Sequence, residues 1–235
     1  MENKPDTPSP ENDRPVKIPV WDLPTRLFHW LLVVLVAVSF ATGNIGGNAM
    51  QYHEWSGVTI LILLVFRIIW GFVGSRASRF SDFVKGPAAV WRYATALVKG
   101  SSARFIGHNP LGGWSVLSLL LALLIQAATG LFANDDIVTE GPLYPWVSKP
   151  VSDWLTDIHQ LNRYLILVLA AVHVLAVLFY LVAKHENLIK PMITGFKQWQ
   201  GRDRLPPNAP LWLAAVIAAV SGCLVYLLVY LRDLL

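Results

Sequence analysis

DIHQLNRYLILVLAAVHVLAVLFY, residues 157–180, is apolar enough to cross a membrane and carries two histidines, His159 and His173, fourteen residues apart. At about 100° per residue, fourteen steps return a side chain to within about 40° of the same helix face, and a rise of 1.5 Å per residue separates the two rings by about 21 Å. Both imidazoles therefore face one interior, at two depths. A bilayer core is about 30 Å thick, so His159 is expected near one edge of it and His173 well toward the other side.

The rest of the chain agrees with a lipid setting. Of 235 residues, 54% are hydrophobic and only 14% charged, and the mean hydropathy is +0.49, values of a membrane protein. The pI of about 9.3 would suggest nucleic acid in a soluble protein. Here the basic residues cluster beside apolar spans, as the positive-inside rule describes, so no nucleic acid is expected. The single cysteine, Cys223, sits in an apolar run; an intrachain disulfide, a C-x-x-C-H attachment of c-type haem and an iron–sulfur cluster of the chain's own are excluded. The first apolar run begins only near Phe28, after a long polar tail, so no cleavable signal peptide is expected and the first span stays as an anchor.

Residues 1–20 have the composition of a disordered cytoplasmic tail, rich in Pro, Asp, Glu and Asn. Apolar spans follow at about 27–46, 52–74, 112–133, 159–182 and 210–231, each near the twenty residues that a spanning helix needs. The expected organisation is a bundle over 21–200 and a linker with a fifth span over 201–235. Arg76, Arg79, Lys85, Arg92, Lys99 and Arg104 lie between the second and third spans, and Lys184, Lys190, Lys197, Arg202 and Arg204 follow the fourth. Between the third and fourth, at 134–158, only Lys149 is basic. Both basic segments should then be cytoplasmic, which puts the amino terminus inside and the carboxyl terminus outside. The outer loop carries Asp135, Asp136, Glu140, Asp153 and Asp157, which either solvate that face or dock a partner with a basic patch. Within the inner loop, Phe80, Phe83, Val84, Trp91, Ala94, Leu97 and Val98 recur at three- and four-residue steps, the pattern of a helix in the membrane interface. Pro87 must open that helix or break it.

Six histidines sort by depth. His29 opens the first span from the inner side, His53 opens the second from the outer side, and His159 and His173 occupy the two levels of the fourth. Neutral imidazole is a ligand of haem iron, and a polar ring in lipid needs such a partner to offset its burial. The natural pairs are His53 with His159 on an outer haem b and His29 with His173 on an inner one. His29 and His53, next to Trp30 and Trp55, could each be interfacial residues if taken alone. Zinc or copper would need three or four ligands at one point, which the separation of His159 from His173 forbids.

Arg67 lies in the apolar run LILLVFRIIW, fourteen residues from His53. It is expected at the inner haem level, paired with a propionate, or snorkelling to the interface. Arg163, one turn after His159, could reach an outer propionate or snorkel equally well. His108, in GHNP, and His185, in KHEN, could frame a quinone head group that exchanges protons; surface and helix-capping roles are the alternatives.

RLFHW, HEWSG with FRIIWGFVGSRASRF, GHNPLGGW, and DIHQLNRY…VHV…ITGFK, in this order over about residues 18–197, resemble the bacterial cytochrome b561 family, which includes the b-type cytochrome subunits of membrane-bound nickel–iron hydrogenases. The resemblance implies an all-α integral membrane protein: a four-helix bundle holding two b haems, with His29, His53, His159 and His173 on the family's ligand positions. It implies electron exchange in the bacterial inner membrane between the quinone pool and a partner, a periplasmic cytochrome c or a hydrogenase. The fifth span lies beyond the bundle of the shortest members. An autonomous quinone-linked oxidoreductase, such as a superoxide oxidase, and a haem-free scaffold or transporter are the competing readings, and a homo-oligomer is compatible with all three.

Overall fold

The computed structural model describes residues 15–200 and 206–230. Five helices are long and apolar enough to cross a membrane: α1 (Leu23–Ile45), α2 (Met50–Val73), α5 (Pro110–Gly130), α6 (Lys149–Val182) and α8 (Leu211–Tyr230). Short segments complete the chain: β1 (Val16–Pro19), α3 (Phe80–Phe83), α4 (Pro87–Val98), α7 (Ile189–Thr194) and β2 (Phe196–Trp199). The protein is an all-α membrane protein, as the apolar runs predict. Two spans start on the same local device. The carboxylate of Asp22 accepts from Thr25 N at 2.8 Å, and the carboxamide of Asn109 accepts from Gly112 N at 2.7 Å. Each side chain satisfies one of the orphan donors of a first turn, with a proline in the opening turn.

Hairpins α1/α2 and α5/α6 pack side by side, and α2 is the central helix, in contact with α1, α5 and α8. Ile60 and Leu64 of α2 meet Ala122, Leu123 and Ile166 of α5 and α6, while Phe66 and Trp70 meet Phe28 of α1 and Ala214 and Ile217 of α8. The fifth helix is thus part of the packing: Ala214, Ile217, Ser221, Val225 and Val229, at steps of three or four, form its buried stripe. Trp212, Val216, Val220 and Leu224 on its other side are exposed.

Three sequence expectations change. The fourth span begins ten residues early, at Lys149, and its 34 residues reach about 51 Å at 1.5 Å each, beyond the thickness of a bilayer core. Its polar first turns read as loop in the sequence. They are helical because Ser152 Oγ donates to Phe132 O at 2.6 Å and accepts from Asn134 Nδ2 at 2.6 Å, which fastens them to the end of α5. The tail expected to be disordered over 1–20 is ordered at its end. β1 pairs antiparallel with β2, Val16 opposite Trp199 and Pro19 opposite Phe196, and buries Ile18 and Val20; residues 1–14 lie outside the described residues. The helix expected over 80–98 is two helices, broken at Val84–Gly86, with Pro87 as the first residue of α4. Beneath the β-ribbon, Lys197 Nζ bonds Glu186 Oε1 at 2.5 Å and Phe105 O at 2.7 Å, so this end of the bundle, the ribbon end, is tied together across three connections. The 134–148 loop marks the opposite, loop end.

Candidate functional site

The structure brings the four expected histidines together in the expected pairs. His53 of α2 faces His159 of α6 with ring centroids 6.1 Å apart at the loop end, and His29 of α1 faces His173 of α6 at 6.4 Å at the ribbon end. A metal–imidazole bond of about 2 Å and a further distance of about 1.1 Å from nitrogen to ring centre, taken twice, give about 6.2 Å for two imidazoles on one ion. Both gaps have that width. Among the described residues no group of three or more His, Cys, Asp or Glu converges on one point, so each gap offers two nitrogens and no polydentate cation site.

At the loop end the protein selects the nitrogen. His53 Nδ1 lies 2.8 Å from the Ser39 carbonyl, and His159 Nδ1 lies 2.9 Å from the Gln126 carbonyl. A carbonyl oxygen only accepts, so each Nδ1 carries the proton and each Nε2 keeps its lone pair. Gln126 is held in turn: its Nε2 donates to His159 O at 3.1 Å, and its Oε1 accepts from the buried Asn162 Nδ2 at 2.8 Å. Asn162 also bonds Ala122 O at 2.8 Å. The register of α6 on α5, and with it the height of His159, rests on this network. A cavity of about 200 Å³ opens beside the pair, and Asn44, Glu54, Gly57 and Arg163 line it together with both histidines.

The ribbon end is organised differently. His29 Nδ1 is buried without a hydrogen-bond partner, and Trp30 meets its ring edge-on at 4.9 Å. Arg67 is only 3% exposed, so it does not snorkel; it lies over Phe80 at 5.0 Å and Phe83 at 5.9 Å, and its Nη1 has no partner. His108 sits between Trp21 at 4.7 Å and Phe83 at 4.6 Å, its Nδ1 buried and unpartnered. Burial first, and then the charges of Arg67, His173 and His29, push its pKa down to about 3, so it is neutral at physiological pH. His185 does not join it. It is exposed, has φ 50°, and stands in the turn that follows α6, where Glu186 N returns to Tyr180 O at 2.9 Å. Arg163 bonds Tyr164 OH at 2.8 Å and keeps a buried, unpartnered Nε.

In the loop, Asp135 Oδ1 accepts from the N–H groups of Ile137, Val138 and Thr139 at 3.0, 2.9 and 2.8 Å. Those bonds, Thr139 first, hold its carboxyl well below the usual carboxylate range. Lys149 pairs with Asp136 at 2.6 Å and Asp153 at 2.9 Å, so the acidic face is partly neutralised from within. Sequence reasoning missed Ser39, Gln126 and Asn162. The first two act through backbone carbonyls, which no side-chain pattern reports. Asn162, three residues after His159 on one helix face, was readable as a buried polar neighbour.

Facing imidazoles across an apolar helical bundle define a class, the membrane-bound b-type cytochromes. The profile of the prokaryotic cytochrome b561 family matches residues 20–195, and the chain belongs to that family. The chain is 27% identical over 226 residues to the probable Ni/Fe-hydrogenase 1 B-type cytochrome subunit of Escherichia coli (strain K12), covering 80% of this chain and 93% of that protein. It is 26% identical over 216 residues to the probable Ni/Fe-hydrogenase B-type cytochrome subunit of Rhizobium leguminosarum bv. viciae, covering 78% and 90%. Haem b, which the family implies, fits the residues present: the ring gaps suit a bis-imidazole iron, and Arg67 and Arg163 keep buried donors free for carboxylates.

Proposed function

We propose that the chain is the membrane electron-transfer subunit of a quinone-linked oxidoreductase and holds two b haems, on His53/His159 at the loop end and His29/His173 at the ribbon end. The observation that carries this reading is the pair of ring gaps, 6.1 and 6.4 Å, both with one ligand from α6. Haem held between two imidazoles of the chain would supply a one-electron carrier, a donor set that favours electron transfer over oxygen chemistry. The chain's own part is to present Nε2 of His53 and His159 by holding the Nδ1 protons on Ser39 and Gln126, and to exclude water with the apolar faces of α1, α2, α5 and α6. Arg67 would pair with a carboxylate of the haem at the ribbon end, and Arg163 with one at the loop end, since each has a buried donor to satisfy.

The loop end faces the periplasm in this reading and receives the redox partner. The relatives' names point to a nickel–iron hydrogenase as that partner. The quinone binds toward the cytoplasmic ribbon end, where His108 Nδ1 lacks a partner; His185, exposed in the turn after α6, is the weaker candidate. The test is a reduced-minus-oxidised spectrum of purified protein with pyridine haemochrome quantitation. Two b haems per chain are expected, and His173→Ala should leave one, spectroscopically intact. Retention of both haems in His173→Ala refutes the ribbon-end pairing.

A further inference from the structure

The loop-end histidines are gripped twice by one device. Along α1, Ser39 O takes the Nδ1 proton of His53, and one turn later a Cβ on Gly43 would stand 2.9 Å from that Nδ1 and 3.0 Å from Cε1. Along α5, Gln126 O takes the Nδ1 proton of His159, and one turn later a Cβ on Gly130 would stand 2.9 Å from Cε1 and 3.2 Å from Nδ1. Each ring is thus caught between a carbonyl and a bare glycine four residues on in the neighbouring helix. The carbonyl fixes where Nδ1 points, and the glycine leaves room for the Nδ1–Cε1 edge of the ring to come close to the helix. The resulting ring planes are 81° apart. At the ribbon end, no described glycine stands against the ring of His29 or His173, His29 Nδ1 has no acceptor, and the planes are 50° apart.

We propose that Gly43 and Gly130 are positioning residues that, each with the carbonyl one turn before it, lock the two loop-end imidazoles close to perpendicular and so set the electronic structure of the iron held there. The proposal rests on the reading of these pairs as haem ligands. Outer partners that orient a metal-bound imidazole tune the metal. Perpendicular imidazole planes donate into different members of the iron's upper d-orbital pair and leave the two nearly degenerate; parallel planes donate into one and split them. A low-spin ferric haem of the first kind has an electron paramagnetic resonance spectrum dominated by one low-field feature, and the second kind gives a three-line rhombic spectrum.

The experiment is ferric electron paramagnetic resonance on the haem-loaded, detergent-purified full chain, with the loop-end signal assigned as the one that survives in His173→Ala. The wild-type loop-end signal should be of the single low-field kind, lying at lower field than that of the ribbon-end pair. In Gly43→Ala and Gly130→Ala that feature should move to higher field toward a rhombic pattern while the ribbon-end signal stays. Gly222→Ala in α8, where a Cβ meets nothing within 4 Å, should change neither. A rhombic wild-type loop-end signal overturns the proposal whether or not the alanine variants load haem, as does an unmoved signal in alanine variants that keep both haems. A preparation without haem overturns instead the ligand assignment on which it rests.

Discussion

Asn162→Ala tests how α6 is seated. Asn162 is 7% exposed, and its one amide nitrogen bonds both Ala122 O and Gln126 Oε1 at 2.8 Å. Side-chain hydrogen bonds between membrane helices average about 0.6 kcal/mol each, so losing two costs about 1.2 kcal/mol. For a chain of this size that is a drop in Tm of about 2–5 °C. Gln126→Ala removes the bond to His159 O and the one shared with Asn162, again about 1.2 kcal/mol. The shared bond is lost only once in the double variant. The two changes together should therefore cost about 0.6 kcal/mol less than their sum. Tryptophan fluorescence during dodecyl sulfate titration in mixed micelles measures all four corners of the cycle. Strict additivity, or a single-variant cost below about 0.3 kcal/mol, would refute the network as the element that sets the height of His159. The Nδ1 bond to Gln126 runs to the backbone and survives every variant, so haem content should fall less than stability does.

Arg67→Leu should lower the midpoint potential of the ribbon-end haem, because a nearby cation favours the reduced state. At about 10 Å and an effective dielectric of about 20 the interaction is about 1.7 kcal/mol, equivalent to about 70 mV for one electron; potentiometric titration reads it, and an unchanged or raised potential counts against Arg67 lying at that site. His108 gives the fold an acid limb. Its folded pKa is pushed down to about 3, so the unfolded chain binds its proton first, and its contribution is complete above about pH 6.5 and is lost as pH falls toward 3. Between pH 7.5 and 5 that amounts to about 2 kcal/mol, and His108→Leu should flatten this part of the stability curve; parallel curves for the two proteins would show that His108 is already accessible to protons.

What could be read in advance follows from where the signal resides. The five spans were legible because lipid demands long apolar runs, and the two levels of α6 because fourteen residues close on one face of a helix. His29 and His53 could be assigned to their levels from the direction of each span alone. The β-ribbon was not legible, since Val16 and Trp199 are far apart in sequence and neither segment has a strand pattern long enough to announce itself. The early start of α6 was hidden because its polar turns are held by Ser152 on the backbone carbonyl of Phe132, just past the end of α5. Gly43 and Gly130 carry no mark that distinguishes them from any glycine in a membrane helix, where small residues commonly serve close packing; only the rings beside them show their use.

The two ends of the bundle differ in how much the protein alone completes. At the loop end both Nδ1 protons are already donated to carbonyls, so the rings are oriented before any ligand arrives. At the ribbon end His29 Nδ1, Arg67 Nη1 and His108 Nδ1 are all buried without partners. A buried polar group left unsatisfied costs about 1–3 kcal/mol, and more when charged. A bound group that brings a carboxylate to Arg67 would relieve one such penalty there, as one brought to Arg163, whose Nε is likewise buried without a partner, would at the loop end. In the proposed reading one helix, α6, supplies a ligand at both levels, so tightening the ribbon end would also clamp the half of that helix farther from Asn162 and Gln126. Cofactor loading should accordingly stabilise the chain through both levels, and the helix that sets the separation of the two sites would couple their occupancy.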